Sequence, residues 1–237
     1  MSSDRVRVEL AERSYDIIFD AVDSPAVIEA FSALPQKNVL IAADSNTAQF
    51  LPRTRAALEK SGKVVYEWVF PAGESSKSIE NAMALCGYAS SLKLGRNALF
   101  AALGGGVTGD LTGFAASIFM RGVEFIQIPT SLLAMVDSSV GGKTAVDTAY
   151  GKNLVGAFHQ PKLVVMDCQL LTTLPEREIG NGLAEIIKTA MILDAAFADK
   201  LARMPEAGFR DPEALEFAVK RSCQIKAMVA VSCASVA

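Results

Sequence analysis

"NALFAALGGGVTGDLTGFAAS", residues 97–117, decides the fold. NALFAAL is a continuous apolar run, the pattern of a strand covered on both faces. Three glycines, Gly104 to Gly106, follow it and lead into LTGFAASIFMRG, whose pattern is helical. Glycines at such a turn let backbone pass close to a ligand. The free N–H groups and dipole of the following helix favour an anion there. The spacing is not the GxGxxG of the common dinucleotide fingerprint. A tight turn that only packs helix against sheet stays open as an alternative.

Working outward, VRVEL and YDIIF read as a hairpin around AERS. NVLIAAD, VVYEWVF, EFIQIPTS and KLVVMD read as further strands. Between them lie helical stretches: SPAVIEAFSAL with Ser24 as N-cap and Pro25 in its first turn, TAQFLPRTRAALEKSG with Gly62 at its end, and SIENAMALCGYASSLKLG starting after Ser76. This alternation predicts an α/β fold with a doubly wound, mostly parallel sheet, Rossmann-like in type. From Pro175 the strands stop. EREIGNGLAEIIKTAMILDAAFADKLARM and DPEALEFAVKRSCQIKAMVAV are both helical patterns. Residues 1–174 are therefore read as an α/β domain and 175–237 as the incomplete beginning of an all-helical one.

The chain has 237 residues, 51% hydrophobic, with a net charge of −3. A basic footprint for nucleic acid is missing. No apolar run reaches the roughly 18 residues of a membrane span. MSSDRVRVEL alternates charged and apolar residues, unlike a signal peptide. Four scattered cysteines without CxxC spacing argue for a reducing, cytoplasmic setting.

Two loops carry the chemistry. FPAGESSKS places Glu74 and Lys77 three apart after a strand, where α/β proteins bind ligands, although a surface ion pair fits equally. PTSLLAMVDSSVGGKTAVDTAYGKN reads as a long irregular segment in which glycines introduce Lys143 and Lys152–Asn153. Such a segment inside a compact domain suits a site for an anion. Arg121 ends a helix, where complementing the dipole suffices to explain it. His159, the single histidine, reads as structural. In GNGLAEIIKTAMILD, at about 100° per residue, Asn181, Glu185 and Lys188 share one helical face, near Glu178. A carboxylate among apolar neighbours needs a cation, either Lys188 or a metal.

ALGGGVTGDLTGFAAS, RGVEFIQIPTSLLAMVDSSVGGKTAV, GKNLVGAFHQP and TLPEREIGNGLAEIIK together resemble the 3-dehydroquinate synthase family. The likeness runs from Val39 to Met228, and the glycine–lysine block is its most specific part. It implies a lyase of the shikimate pathway, in aromatic amino acid biosynthesis, dependent on NAD and a divalent metal, zinc or cobalt. The implied substrate is 3-deoxy-D-arabino-heptulosonate 7-phosphate. Transient oxidation of a ring hydroxyl acidifies the neighbouring C–H, phosphate leaves, the ketone is reduced back, and the ring opens and closes as a carbocycle.

By the same resemblance, Asp44, Glu74, Lys77, Gly105, Gly106, Asp110, Thr130, Ser131, Lys143, Lys152, Leu170, Thr172, Thr173 and Asn181 line the NAD. Arg121, Asp137, Lys143, Asn153 and Lys188 face the substrate, and Glu185 is a metal ligand. Ser131 and Phe119 stand where the family usually has threonine and tyrosine. Two histidine metal ligands belong to a later segment, so the chain, ending in AVSCASVA, is expected to be truncated or frameshifted. It is then expected to show no synthase turnover, weak NAD affinity and self-association. A homodimer is implied for the full-length form. Related sugar-phosphate cyclases, such as 2-deoxy-scyllo-inosose synthase, and a non-catalytic NAD-binding remnant are the alternatives.

Overall fold

The computed structural model describes residues 4–204 and 211–234. β1 (Asp4–Val8) and β2 (Tyr15–Phe19) form the expected antiparallel hairpin. There follow α1 (Pro25–Ala33), β3 (Asn38–Asp44), α2 (Leu51–Lys60), β4 (Val64–Phe70), α3 (Ile79–Ser91), β5 (Ala98–Gly104), α4 (Gly106–Ile118) and β6 (Glu124–Pro129). After a π-helical turn at Ala134–Ser138 come β7 (Lys143–Thr148), β8 (Gly151–Phe158) and β9 (Leu163–Met166). α5 (Glu176–Leu193), α6 (Ala195–Ala202) and α7 (Pro212–Ala234) complete the chain.

The main sheet has the order β1-β2-β9-β6-β5-β3-β4, and every pairing except β1–β2 is parallel. The continuous apolar strands are covered on both faces, as their sequences predict. Val39, Ile41 and Ala43 of β3 pack with α1 and α2, whereas Leu40 and Ala42 pack with α3 and α4. Leu99, Ala101 and Leu103 of β5 join the first side and Phe100 the second, the period of two of a strand. A third cluster joins Val8, Tyr15 and Met135 to Ile186 of α5, Phe197 of α6 and Val219 and Cys223 of α7. The helices after residue 175 thus share a core with the edge of the sheet.

Local signals fix the helix ends. Ser24 accepts a hydrogen bond from the Val27 amide at 3.3 Å, and Gly62, at φ +84°, closes the turn after α2. α3 begins at Ile79, where Ser78, the first residue of the SIENAM stretch, is its N-cap and accepts from the Asn81 amide at 3.3 Å. The long pattern after Pro175 breaks at Asp194, which caps α6 through the Phe197 amide.

The segment 143–158, expected to be irregular, is an antiparallel hairpin. Its outer strand β8 has no buried residue, so it lacks the apolar alternation that marks a half-buried strand.

Candidate functional site

In the main sheet, β4 lies on one side of β3 and β5 on the other. The chain therefore reverses direction across the sheet between β3 and β5, and the crevice at their carboxyl ends is where such sheets bind ligands. Asp44 ends β3 there, and Gly104 ends β5. The Asp44 carboxylate accepts from the Asn46 and Thr47 amides at 2.8 and 3.0 Å and from Thr108 Oγ1 at 3.1 Å. It is thus held rigidly beside the first turn of α4.

That turn opens at Gly105 with no side-chain cap. A Cβ on Gly105 would sit 3.4 Å from Ser131 Oγ, and one on Gly106 3.2 Å from Ser138 Oγ. The glycines therefore leave a cleft floored by backbone and walled by two hydroxyls. Thr130, buried, bonds its amide to Gly104 O at 3.0 Å and brings the β6 loop alongside. The uncapped amides of this helix start suit a phosphate.

The β4 loop adds charge. Lys152 and Glu74 form an exposed pair at 2.7 Å. Lys77 is buried at 6% exposure and donates both to Asp110 on α4 and to Asn153 Oδ1, the latter at 2.5 Å. Burial pushes the Asp110 carboxyl above its ordinary value, against the lowering effect of Lys77. Asn153 adopts φ +59°, and its amide donates to Asp147 Oδ1 at 2.9 Å, while the Asp147 amide donates to Lys77 O at 2.8 Å. Asp147, which the sequence reading did not single out, thereby ties the hairpin to the β4 loop.

Next to this network is a cavity of about 490 Å³ lined by Asp110, Asp137, Lys143, Asn153 and Lys226, with Leu154 and Phe158 as an apolar wall. Asp137, inside the π-helical turn, pairs with Lys226 of α7. Lys226 was missed in the sequence. Its signal was faint: a lone lysine between Ile225 and Ala227, both buried.

α5 borders the site. Asn181 donates to Glu178 at 3.2 Å, and Lys188 pairs with Glu185 at 2.5 Å. The Glu185 hydrogen bond raises the Lys188 pKa, and Asp137 adds to the rise from a distance. Lys188 is thus a cationic partner of Glu185. Among the described residues no three His, Cys, Asp or Glu side chains gather into a metal-binding group. Glu185 alone does not make the three-ligand set of a catalytic zinc, so the donors present do not fit a complete metal centre.

Three residues stand differently from the rest. Arg121 follows the far end of α4, and a helix of 13 residues separates its ends by about 20 Å. Within one chain it does not join the cavity. Leu170 packs in the core with Leu103 and Ile128, whereas Thr172 and Thr173 of the same turn are exposed, as is Gln169. His159 is structural: Nε2 bonds Val123 O at 2.8 Å and the ring stacks on Phe125 at 5.2 Å.

A larger cavity, about 1130 Å³, lies beyond the ends of β2 and β9. Among the described residues its lining includes Asp20, Glu176 and Glu216 but no lysine or arginine. An anion is therefore far better served by the smaller one.

Residues 67–181 match the description "3-dehydroquinate synthase N-terminal" and 182–232 "3-dehydroquinate synthase C-terminal". The chain is 46% identical over 228 residues to 3-dehydroquinate synthase of Methylococcus capsulatus, an alignment covering 94% of this chain and 62% of that protein. A solved 2-deoxy-scyllo-inosose synthase, complexed with carbaglucose-6-phosphate, NAD+ and Co2+, superposes with a TM-score of 0.82 at 26% identity, covering 96% of this chain and 63% of that one. A 2-epi-5-epi-valiolone synthase from Streptomyces hygroscopicus, with NAD+ and Zn2+ bound, gives 0.77 at 30% identity, covering 89% and 59%. The chain thus spans under two thirds of the length of each of these proteins. With two adjoining family descriptions over residues 67–232 and a fold shared with the sugar-phosphate cyclases, the chain belongs to the 3-dehydroquinate synthase family.

Proposed function

We propose that this chain carries the NAD-binding and much of the substrate-binding surface of a 3-dehydroquinate synthase, a lyase that converts 3-deoxy-D-arabino-heptulosonate 7-phosphate to 3-dehydroquinate and phosphate. The observation that carries the reading is the meeting of Lys143, Asn153 and Lys226 with Asp110 and Asp137 in one cavity beside the glycine cleft. A polyanionic sugar acid needs several cations, and proton abstraction needs a base, a role that a carboxylate can fill.

NAD, when bound, supplies a hydride acceptor that returns the hydride later. The cleft at Gly105 and Gly106 suits its pyrophosphate, with Asp44 placed for a ribose hydroxyl and Ser131 beside the cleft. Lys143 offers an exposed ammonium to the phosphate or carboxylate, and Lys77 holds Asn153 in place from behind. In this reading residues 1–174 form the cofactor side and 175–237 contribute Asn181, Glu185, Lys188 and Lys226 from the helical side. A homodimer belongs to the same reading: β8 is an unpaired edge carrying exposed Leu154, Val155 and Phe158, a surface that a second copy would cover.

A sugar-phosphate cyclase of the 2-deoxy-scyllo-inosose type is the second reading, supported by the fold likeness. The higher identity, 46% against 26%, favours the first.

Calorimetry with the sugar phosphate in the presence of NAD tests the proposal, and released phosphate reports any turnover. Lys143→Ala is expected to weaken binding about tenfold or more, the value of a charge-assisted contact. Equal binding of the dephosphorylated sugar acid, or no change in the variant, would contradict it.

A further inference from the structure

Lys143 follows two glycines that adopt left-handed conformations, Gly141 at φ +113° and Gly142 at φ +68°. Left free, such a pair swings through many directions, because glycine has the largest backbone freedom. Here the peptide groups around Gly141 are held on both sides. The Gly141 amide donates to Tyr15 Oη at 3.2 Å, and Gly141 O accepts from Gln160 Nε2 at 3.1 Å. The His159 amide donates to Gly142 O at 2.7 Å. Ser139 and Val140, just before the turn, are buried. A Cβ on Gly142 would run into the Gln160 amide, so that side chain fills the space beneath the turn.

The two holding side chains come from distant places. Tyr15 lies on β2, 126 residues before Gly141, at 1% exposure among Val8, Met135, Val140 and Cys223. A hydroxyl in such surroundings is costly unless it bonds, and phenylalanine would fill the same volume without that cost. The only hydrogen bond of this hydroxyl among the described residues is to the Gly141 amide. Gln160 follows β8; among the described residues its buried Oε1 has no partner, and its Nε2 is used on Gly141. Neither polar group is explained by a wider network.

We infer that Tyr15 and Gln160 are positioning residues that clamp the Gly141–Gly142 turn and so aim the Lys143 ammonium into the cavity. The clamp links the N-terminal hairpin to the anion-binding side chain, a role that neither residue's own sequence surroundings suggest. It rests on the proposed reading of Lys143 as an anion contact.

The test is labelling of the protein by pyridoxal 5′-phosphate with borohydride, read lysine by lysine by mass spectrometry. Lys93, exposed on the surface, serves as the internal reference. In the unmodified protein Lys143 is expected to react faster than Lys93. In Tyr15→Phe and in Gln160→Met the Lys143-to-Lys93 ratio should fall about five- to tenfold, the weight of one lost hydrogen bond. Melting temperature is followed in parallel; a purely structural role would lower it while leaving the ratio unchanged. A preference for Lys143 that survives in both variants overturns the clamp but leaves the anion reading standing. Absence of any preference in the unmodified protein overturns both.

Discussion

Lys77→Met should destabilise the protein by about 3 kcal/mol at neutral pH, as expected when one partner of a buried ion pair is removed. The Lys77 and Asp110 side chains are only 7% and 18% exposed. Without the ammonium, Asp110 must ionise in a poorly solvated place, and Asn153 loses its donor. The penalty depends on pH. Burial already raises the Asp110 carboxyl in the folded state, and Lys77 opposes that rise. A carboxyl raised on folding favours the native state below its unfolded pKa and loses that contribution as pH climbs through the folded value. Removing Lys77 raises it further, so more stability is lost on the way to neutrality. The deficit of Lys77→Met should therefore be smallest below about pH 4, where carboxylates are protonated, and full at neutral pH. Melting curves at both ends of that range check it. Lys77→Met combined with Asp110→Asn should recover much of the loss, since no charge is then stranded. A deficit independent of pH would show that the pair does not carry it.

Gly156→Ala is expected to cost about 3 kcal/mol, in the upper range for overpacking, and to lower Tm by about 6–12 °C. Gly156 faces Ala145 across the β7–β8 hairpin. A Cβ there would overlap the Thr144 carbonyl and lie 2.8 Å from Ala145 Cα. Backbone cannot step aside as a side-chain tip can, so the two strands must part. Lys143 begins β7 and Asn153 lies in β8, so both lose their placement. Thermal melts read the first effect, and sugar-phosphate affinity the second. An unchanged Tm would mean that the hairpin is looser than its register implies.

What the sequence disclosed follows from burial. NVLIAAD and NALFAAL announce central strands because both faces of the sheet are covered, and the glycine turn after Leu103 announces the ligand end of β5. The hairpin 143–158 stayed hidden because β8 is exposed on both faces and so carries no period. Lys143 and Asn153, singled out in the sequence beside their glycines, line one cavity in the structure. Lys226, Asp147 and Tyr15 were not singled out, since each acts through a partner 6 to 126 residues away. Arg121 stands apart. Its motif is specific, yet the direction of α4 sends it to the end away from the cleft. The stripe on α5 lies on one continuous helix, and Lys188 pairs with Glu185 along it.

The cleft before α4 is the centre of this account, and titration calorimetry with NAD tests it most directly. A Cβ at Gly105 would meet only the Ser131 side chain, at ordinary contact distances, so Gly105→Val should fold while filling the cleft. The expected result is saturable, one-site binding of NAD by the unmodified protein and its loss in Gly105→Val at unchanged Tm. Binding of equal strength by the variant, or none by the unmodified protein, would contradict the assignment.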